Sequence, residues 1–272
     1  HSRWIDALRR TGGLSLDKSC WLAILEGGSA ATAGESVDKD CRLNGELAID
    51  LDSVGTDRGL SRAAVLLGLV AGALNEIEPD GVTVVDLETN GRAISGGADI
   101  SDAVGWMGTH HPLLLEHAPF SEHFCRLIDS QLAAIPDQGL GYMISRWLDG
   151  TLESTCIGRL AINISDLEHP GGAVSALGRR VAGLLPPQPD GNWLGHHASL
   201  AFRLAHGAIG FDMYYSAMHF PRGRAIGAYL ARQAGLAVAP VGTNPGGSST
   251  RNLFAVPFPV SAMQSLMLTA AH

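Results

Sequence analysis

The sequence predicts an α/β sandwich, with helices packed on one face of a sheet. Three observations carry this. A β-branched run, VTVVDL at residues 82–87, follows a turn at residues 79–81 and reads as an interior strand with Glu88 at its end. Residues 198–204 and 208–214 alternate apolar side chains (Leu200, Phe202, Leu204; Ile209, Phe211, Met213) about His206 and Gly207, the pattern of a β-hairpin. Residues 61–77 are apolar nearly all round, so a helix there must be covered on both sides.

The remaining elements follow in order. Residues 4–8 and 15–25 have helical apolar spacing, broken at Gly12 and Gly13, and 27–38 reads as a small-residue linker. ELAIDL at 46–51 alternates as a half-buried strand does. Asp57 or Ser61 is placed to cap the helix that follows. Residues 91–97 must be a loop, 119–135 an amphipathic helix ended by Pro136, and 159–164 a short strand. Residues 139–142 (GLGY) follow a helix and a proline, not a strand, and read as a tight turn into a helix over 142–148. A last helix is expected over 221–234, and VGTNPGGSSTR at 241–251 has linker composition.

Composition sets limits on function. With 46% hydrophobic and 17% charged residues, the chain is expected to be a soluble globular protein. A net charge of −8 and nineteen scattered basic residues argue against nucleic-acid binding, which needs clustered Lys and Arg. The longest apolar stretch, 63–74, falls short of the roughly 20 residues that span a bilayer, so no membrane partner is expected. Cys20, Cys41, Cys125 and Cys156 are far apart and form no CxxC. They read as reduced thiols, and with no leader pattern ahead of the first helix a cytoplasmic location is expected. No metal-ligand spacing accompanies the pairs His110–His111 and His196–His197, which read as loop or strand-end histidines at a surface or interface.

Three motifs occur in a telling order: VDLETNGR at 85–92, DAVGWMG at 102–108 and PDQGLGYM at 136–143. Together they resemble the EGHGRE, RTVGWFTxxYPV and PxxGxGYG patterns of the epimerization branch of the condensation-domain superfamily from nonribosomal peptide synthetases. The resemblance runs from about Ser2 to about Gln233. It implies a chloramphenicol-acetyltransferase-like lobe, a mixed sheet covered by helices, over residues 1–240. A linker is then expected at 241–257 and a terminal helix at 258–272, whose FPVSAMQSLMLTAAH resembles the opening of a condensation-type domain. That helix either docks back on the lobe or begins a following domain. The superfamily's HHxxxDG motif, which lies in an N-terminal lobe, does not occur, so the chain reads as half of a two-lobed catalytic domain.

Epimerizing an amino acid held as a thioester removes the α-proton from one face and returns one to the other, with an enolate between. The resemblance assigns one face to a histidine of HHxxxDG and the other to the Glu of EGHGR, here Glu88. Its place at the end of an apolar strand before a Gly turn suits a carboxylate at a cleft mouth. A structural pairing with Arg92 is the plain alternative. Asn90, Asn163 and Ser165 are candidate contacts to a pantetheine arm or thioester carbonyl. The implied prosthetic group is a phosphopantetheine arm carried by a partner peptidyl carrier protein, with an N-terminal lobe or neighbouring synthetase domains as further partners. The chain itself is expected to bind no cofactor.

Departures from the pattern keep other readings open. Asn90 and Ala93 replace the His and final Glu of EGHGRE, Asp102 and Ala103 replace RT, Met107 replaces Phe, and His110–His111 stand where the pattern has an aromatic before Pro112. INISD at 162–166 keeps the Asn of FNYLG without its Tyr. A condensation-type amide-forming lobe and a degenerate lobe that recruits a carrier protein are the alternatives.

Overall fold

The computed structural model describes residues 18–47, 59–89, 108–166, 195–205 and 208–233. In chain order these form α1 (Ser19–Glu26), β1 (Ala31–Thr32), β2 (Cys41–Leu47), α2 (Arg62–Ile77), β3 (Val82–Thr89) and β4 (Thr109–Glu116). Then come α3 (Glu122–Ala133), a short helical stretch from Pro136 to Leu148 that includes α4 (Leu140–Met143), β5 (Cys156–Ile157), β6 (Leu160–Asp166), β7 (Ala198–Ala205), β8 (Ala208–Tyr215) and α5 (Gly223–Gln233). Six strands make one mixed sheet in the order β2-β8-β7-β6-β3-β4, and β1 pairs with β5 in a separate ribbon. β6 runs parallel to both β3 and β7, and the other neighbours in the sheet are antiparallel.

Strand alternation divides the side chains between two faces. Val85, Leu87, Leu113, Leu160, Ile162, Leu200, Phe202, Phe211 and Met213 point to one face and join the main core with α2, α3 and α5. Helix α2 lies at its centre: every residue from 64 to 74 is buried. Ser61 caps it, accepting from the Ala64 N–H at 3.0 Å, and Ser121 caps α3 through the Phe124 N–H at 3.2 Å. Two glycines let the helices approach. A Cβ on Gly68 would lie 2.7 Å from Cys125 Sγ of α3, and one on Gly72 would lie 2.4 Å from the Tyr229 hydroxyl of α5.

The structure bears out the interior strand, the long buried helix and the hairpin, corrects three expectations and adds one strand. Helices are not confined to one face. Trp21 and Leu25 of α1 pack with Val84, Tyr142 and Leu152 in a second cluster, against which Leu114 also rests. Residues 46 and 47 of the strand expected at 46–51 belong to β2, which begins earlier, at Cys41, and buries Leu43 and Leu47, while residues 48–51 lie outside the described residues. β4 went unforeseen. The paired histidines do not all sit at surface or loop positions: His110 and His111 lie within β4, and His111 and His196 are buried. Residues beyond 233, including the expected linker and terminal helix, lie outside the described residues, as do Asn90 and Arg92.

Candidate active site

Val84, Asp86 and Glu88 follow one another at two-residue steps on β3 and so share the sheet face opposite α2. Register extends this face sideways. Glu88 is opposite His110 of β4 on one side and Asn163 of β6 on the other. The row continues through Ala201 of β7 and Asp212 of β8 to Asn44 of β2. Asn163 Nδ2 donates to Glu88 Oε2, and the Ser165 hydroxyl donates to Asn163 Oδ1 at 2.7 Å. Three of the four residues singled out from sequence therefore form one hydrogen-bonded string. One carboxylate oxygen of Glu88, Oε2, is held by the amide.

Behind Glu88 lies a pair that sequence reasoning missed. Asp86 Oδ2 and His196 Nε2 are 2.7 Å apart, and both residues are buried. Burial works against the Asp86 charge, yet the hydrogen bond and charge of His196, with help from His110 and the Gly158 N–H, hold its carboxyl below the usual carboxylate range. Gly158 is required here, since a Cβ would lie 2.3 Å from Asp86 N. Among the described residues, Asp86 Oδ1 is buried without a hydrogen-bond partner. The i, i+2 spacing of Asp86 and Glu88 was a readable signal for one face; His196 joins them only through the fold.

Burial opposes protonation of both histidines of β4. Burial lowers the pKa of His110, and the carboxylates of Glu88 and Asp86 pull it partly back. His111 falls to about 4, again through burial, with the Pro112 carbonyl opposing. Its ring lies against Trp21, with centroids 6.3 Å apart. The Tyr142 hydroxyl is driven upward by burial and by Asp86, which removes it as an acid near neutrality. The motif at 136–143 shapes the adjacent rim: Asp137 and Gln138 take left-handed backbone angles, and the Gln138 carbonyl accepts from the Thr109 hydroxyl at 2.6 Å. Among the described residues, no group of three His, Cys, Asp or Glu side chains is placed to hold a metal ion. No described helix is long and apolar enough to cross a membrane.

A mixed sheet with helices on its faces, and a polar row on one face centred on a glutamate, define a lobe of the chloramphenicol-acetyltransferase type. Similarity to known proteins agrees with this class. No family model matches the chain. It is 29% identical over 140 residues to one of the subunits of linear gramicidin synthase from Brevibacillus parabrevis, a match covering half of this chain and 3% of that protein. It is 37% identical over 89 residues to chondramide synthase cmdD of Chondromyces crocatus, covering 32% of this chain and 2% of that one. Among solved structures, the epimerization domain from the third module of tyrocidine synthetase B superposes with a TM-score of 0.57 at 15% identity, covering 81% of this chain and 56% of that chain. PapA2 acyl transferase gives 0.54 at 14% identity, covering 85% and 55%. The chain thus spans about half the length of these solved chains and a small fraction of the synthetases. In fold it is a condensation-type lobe, and its sequence similarity is to nonribosomal peptide synthetases.

Proposed function

We propose that this lobe serves an epimerization-type reaction on an aminoacyl or peptidyl thioester presented by a carrier protein, with Glu88 as the acid/base group on one face of the α-carbon. The observation that carries the reading is the Glu88–Asn163–Ser165 string on the sheet face opposite the helical core. A carboxylate oriented by an amide on one oxygen suits proton abstraction from carbon. The α-proton passes to Glu88, the bonding pair moves into the thioester as an enolate, and a proton returns from the opposite face. That second group belongs to an N-terminal lobe, as do further contacts to the phosphopantetheine arm. Asn163 acts by orienting the carboxylate, and Ser165 by orienting the amide.

Two readings compete with this one, and the departures at Asn90, Ala93 and His111 favour them. One is an amide-forming lobe; the other is a non-catalytic lobe that recruits a carrier protein. The three separate by product. The chain is combined with an N-terminal lobe bearing HHxxxDG and a carrier loaded with an L-aminoacyl group, with and without a second loaded carrier. Chiral analysis of the released amino acid should show the D form whether or not the second carrier is present. A new amide formed only with both carriers would replace the reading with condensation. Carrier binding without either product would replace it with recruitment.

A further inference from the structure

A second polar side chain reaches the same sheet face, and the inference drawn from it rests on the thioester chemistry proposed above but not on the role of Glu88. Of the nineteen basic residues in the chain, only Lys18 and Lys39 are lysines. Lys39 sits between β1 and β2 and is half-buried. Its ammonium donates to the Ser199 hydroxyl at 2.7 Å. Ser199 is paired in register with Ala161 of β6 and Tyr214 of β8, which places it on the face that also carries Asp86, Glu88 and Asn163.

Among the described residues, the charged and titratable groups on the surrounding elements leave Lys39 without a counter-ion. Asp40 accepts from the Ala217 N–H at 2.8 Å. On β2, β7 and β8, Asp212 is held by Arg42 and Arg203, and Arg42 also stacks over the Tyr214 ring at 5.2 Å. Asp38 is exposed to solvent. Among the described residues no carboxylate forms an ion pair with Lys39. An ammonium that loses hydration and gains only a hydroxyl is pushed toward its neutral form, and burial brings this one down to about 8.

We propose that Lys39 is a nucleophilic amine that accepts an acyl group from a thioester. The nitrogen lone pair attacks the thioester carbonyl carbon, the C–S bond breaks, and the sulfur leaves as a thiolate. The amine's proton goes to that thiolate, so the products are an N-acyl lysine and a free thiol, with no oxidant or reductant. Ser199 holds the nitrogen in place. The acyl class is favoured over a carbonyl partner because the side chain is only half-buried. An imine there would be hydrolysed by water, whereas an amide would persist.

The two lysines make the test internal. At pH 7 an amine of pKa about 8 is about 10% neutral, against about 0.04% for a lysine near the usual 10.4. The intact protein is incubated with S-acetyl-N-acetylcysteamine over a range of pH, and acetylation at each lysine is followed by peptide mass spectrometry. Lys39 should react at least about tenfold faster than Lys18 near pH 7, with a rate that rises to a plateau and a midpoint near 8. Lys39→Arg should remove that adduct and leave the one at Lys18. Equal rates, faster reaction at Lys18, no adduct at Lys39, or a Lys39 rate without a plateau would each overturn the proposal.

Discussion

Replacing His111 with leucine should flatten the loss of stability in mild acid. The ring is 1% exposed, lies against Trp21, and has a pKa of about 4 in the folded chain. In the unfolded chain it returns to about 6.5. Above that value both states hold a neutral ring, and His111 contributes no pH dependence. Between the two values the unfolded chain binds a proton that the folded chain refuses, so stability falls as pH falls and levels off below about 4. A gap of about 2.5 units at about 1.4 kcal/mol each sets a ceiling of about 3 kcal/mol, of which about 2–3 kcal/mol should be lost by about pH 4.5. The Asp86 carboxyl does not mask this, because its lowered pKa puts its own loss below the ordinary carboxylate range. Urea unfolding followed by tryptophan fluorescence, at several pH values from about 7.5 to about 4.5, reads the effect as a difference in slope between wild type and His111→Leu. His110, also lowered by burial, titrates in both proteins and cancels to first order. Parallel pH profiles would refute the argument and mean that the folded chain protonates His111 readily.

Further tests address packing and the site. Leu69 is fully buried in α2, so Leu69→Ala should cost about 2–5 kcal/mol in chemical denaturation; a change below about 0.5 kcal/mol would contradict the core described here. A Cβ on Gly158 would meet backbone, at 2.3 Å from Asp86 N and 2.7 Å from Val85 C, so Gly158→Ala should destabilise by at least about 1–3 kcal/mol. A neutral result would mean that β3 and the loop before β6 are less closely joined. Asn163→Ala, which releases Glu88 Oε2, should slow α-proton exchange in the reconstituted domain by about ten- to a hundredfold while leaving the far-ultraviolet circular dichroism unchanged. An unchanged rate would remove the orienting role.

What could be read from the sequence depended on how loudly each segment kept its period. Residues 82–87 and the two hairpin strands alternate without interruption, and α2 has eleven successive buried residues, so these were legible. β4 was not, because THHPLLLE carries a proline and two histidines. Proline is tolerated there because, among the described strands, β4 pairs only with β3, at the edge of the sheet. The start of β2 went unread because Gly45 interrupts its apolar period. That glycine is demanded by the Phe211 ring, which a Cβ would approach to 2.8 Å. In the site, Glu88, Asn163 and Ser165 were found through motif order, and the parallel register of β3 and β6 brings them together. His196 and Lys39 carried no such signal. Each reaches its partner only through tertiary packing, His196 from 110 residues beyond Asp86 and Lys39 from 160 residues before Ser199.

The central claim is that Glu88 moves the α-proton of a carrier-bound thioester. Its most direct test is solvent-deuterium exchange at that α-carbon, measured with the chain, a matching N-terminal lobe and a loaded carrier in heavy water. Wild type should exchange, while Glu88→Gln, checked for an unchanged fold, should lose about 10²–10⁴ in rate. The chain without the second lobe should exchange little above background. Full exchange by Glu88→Gln, or by the isolated chain, would contradict the account.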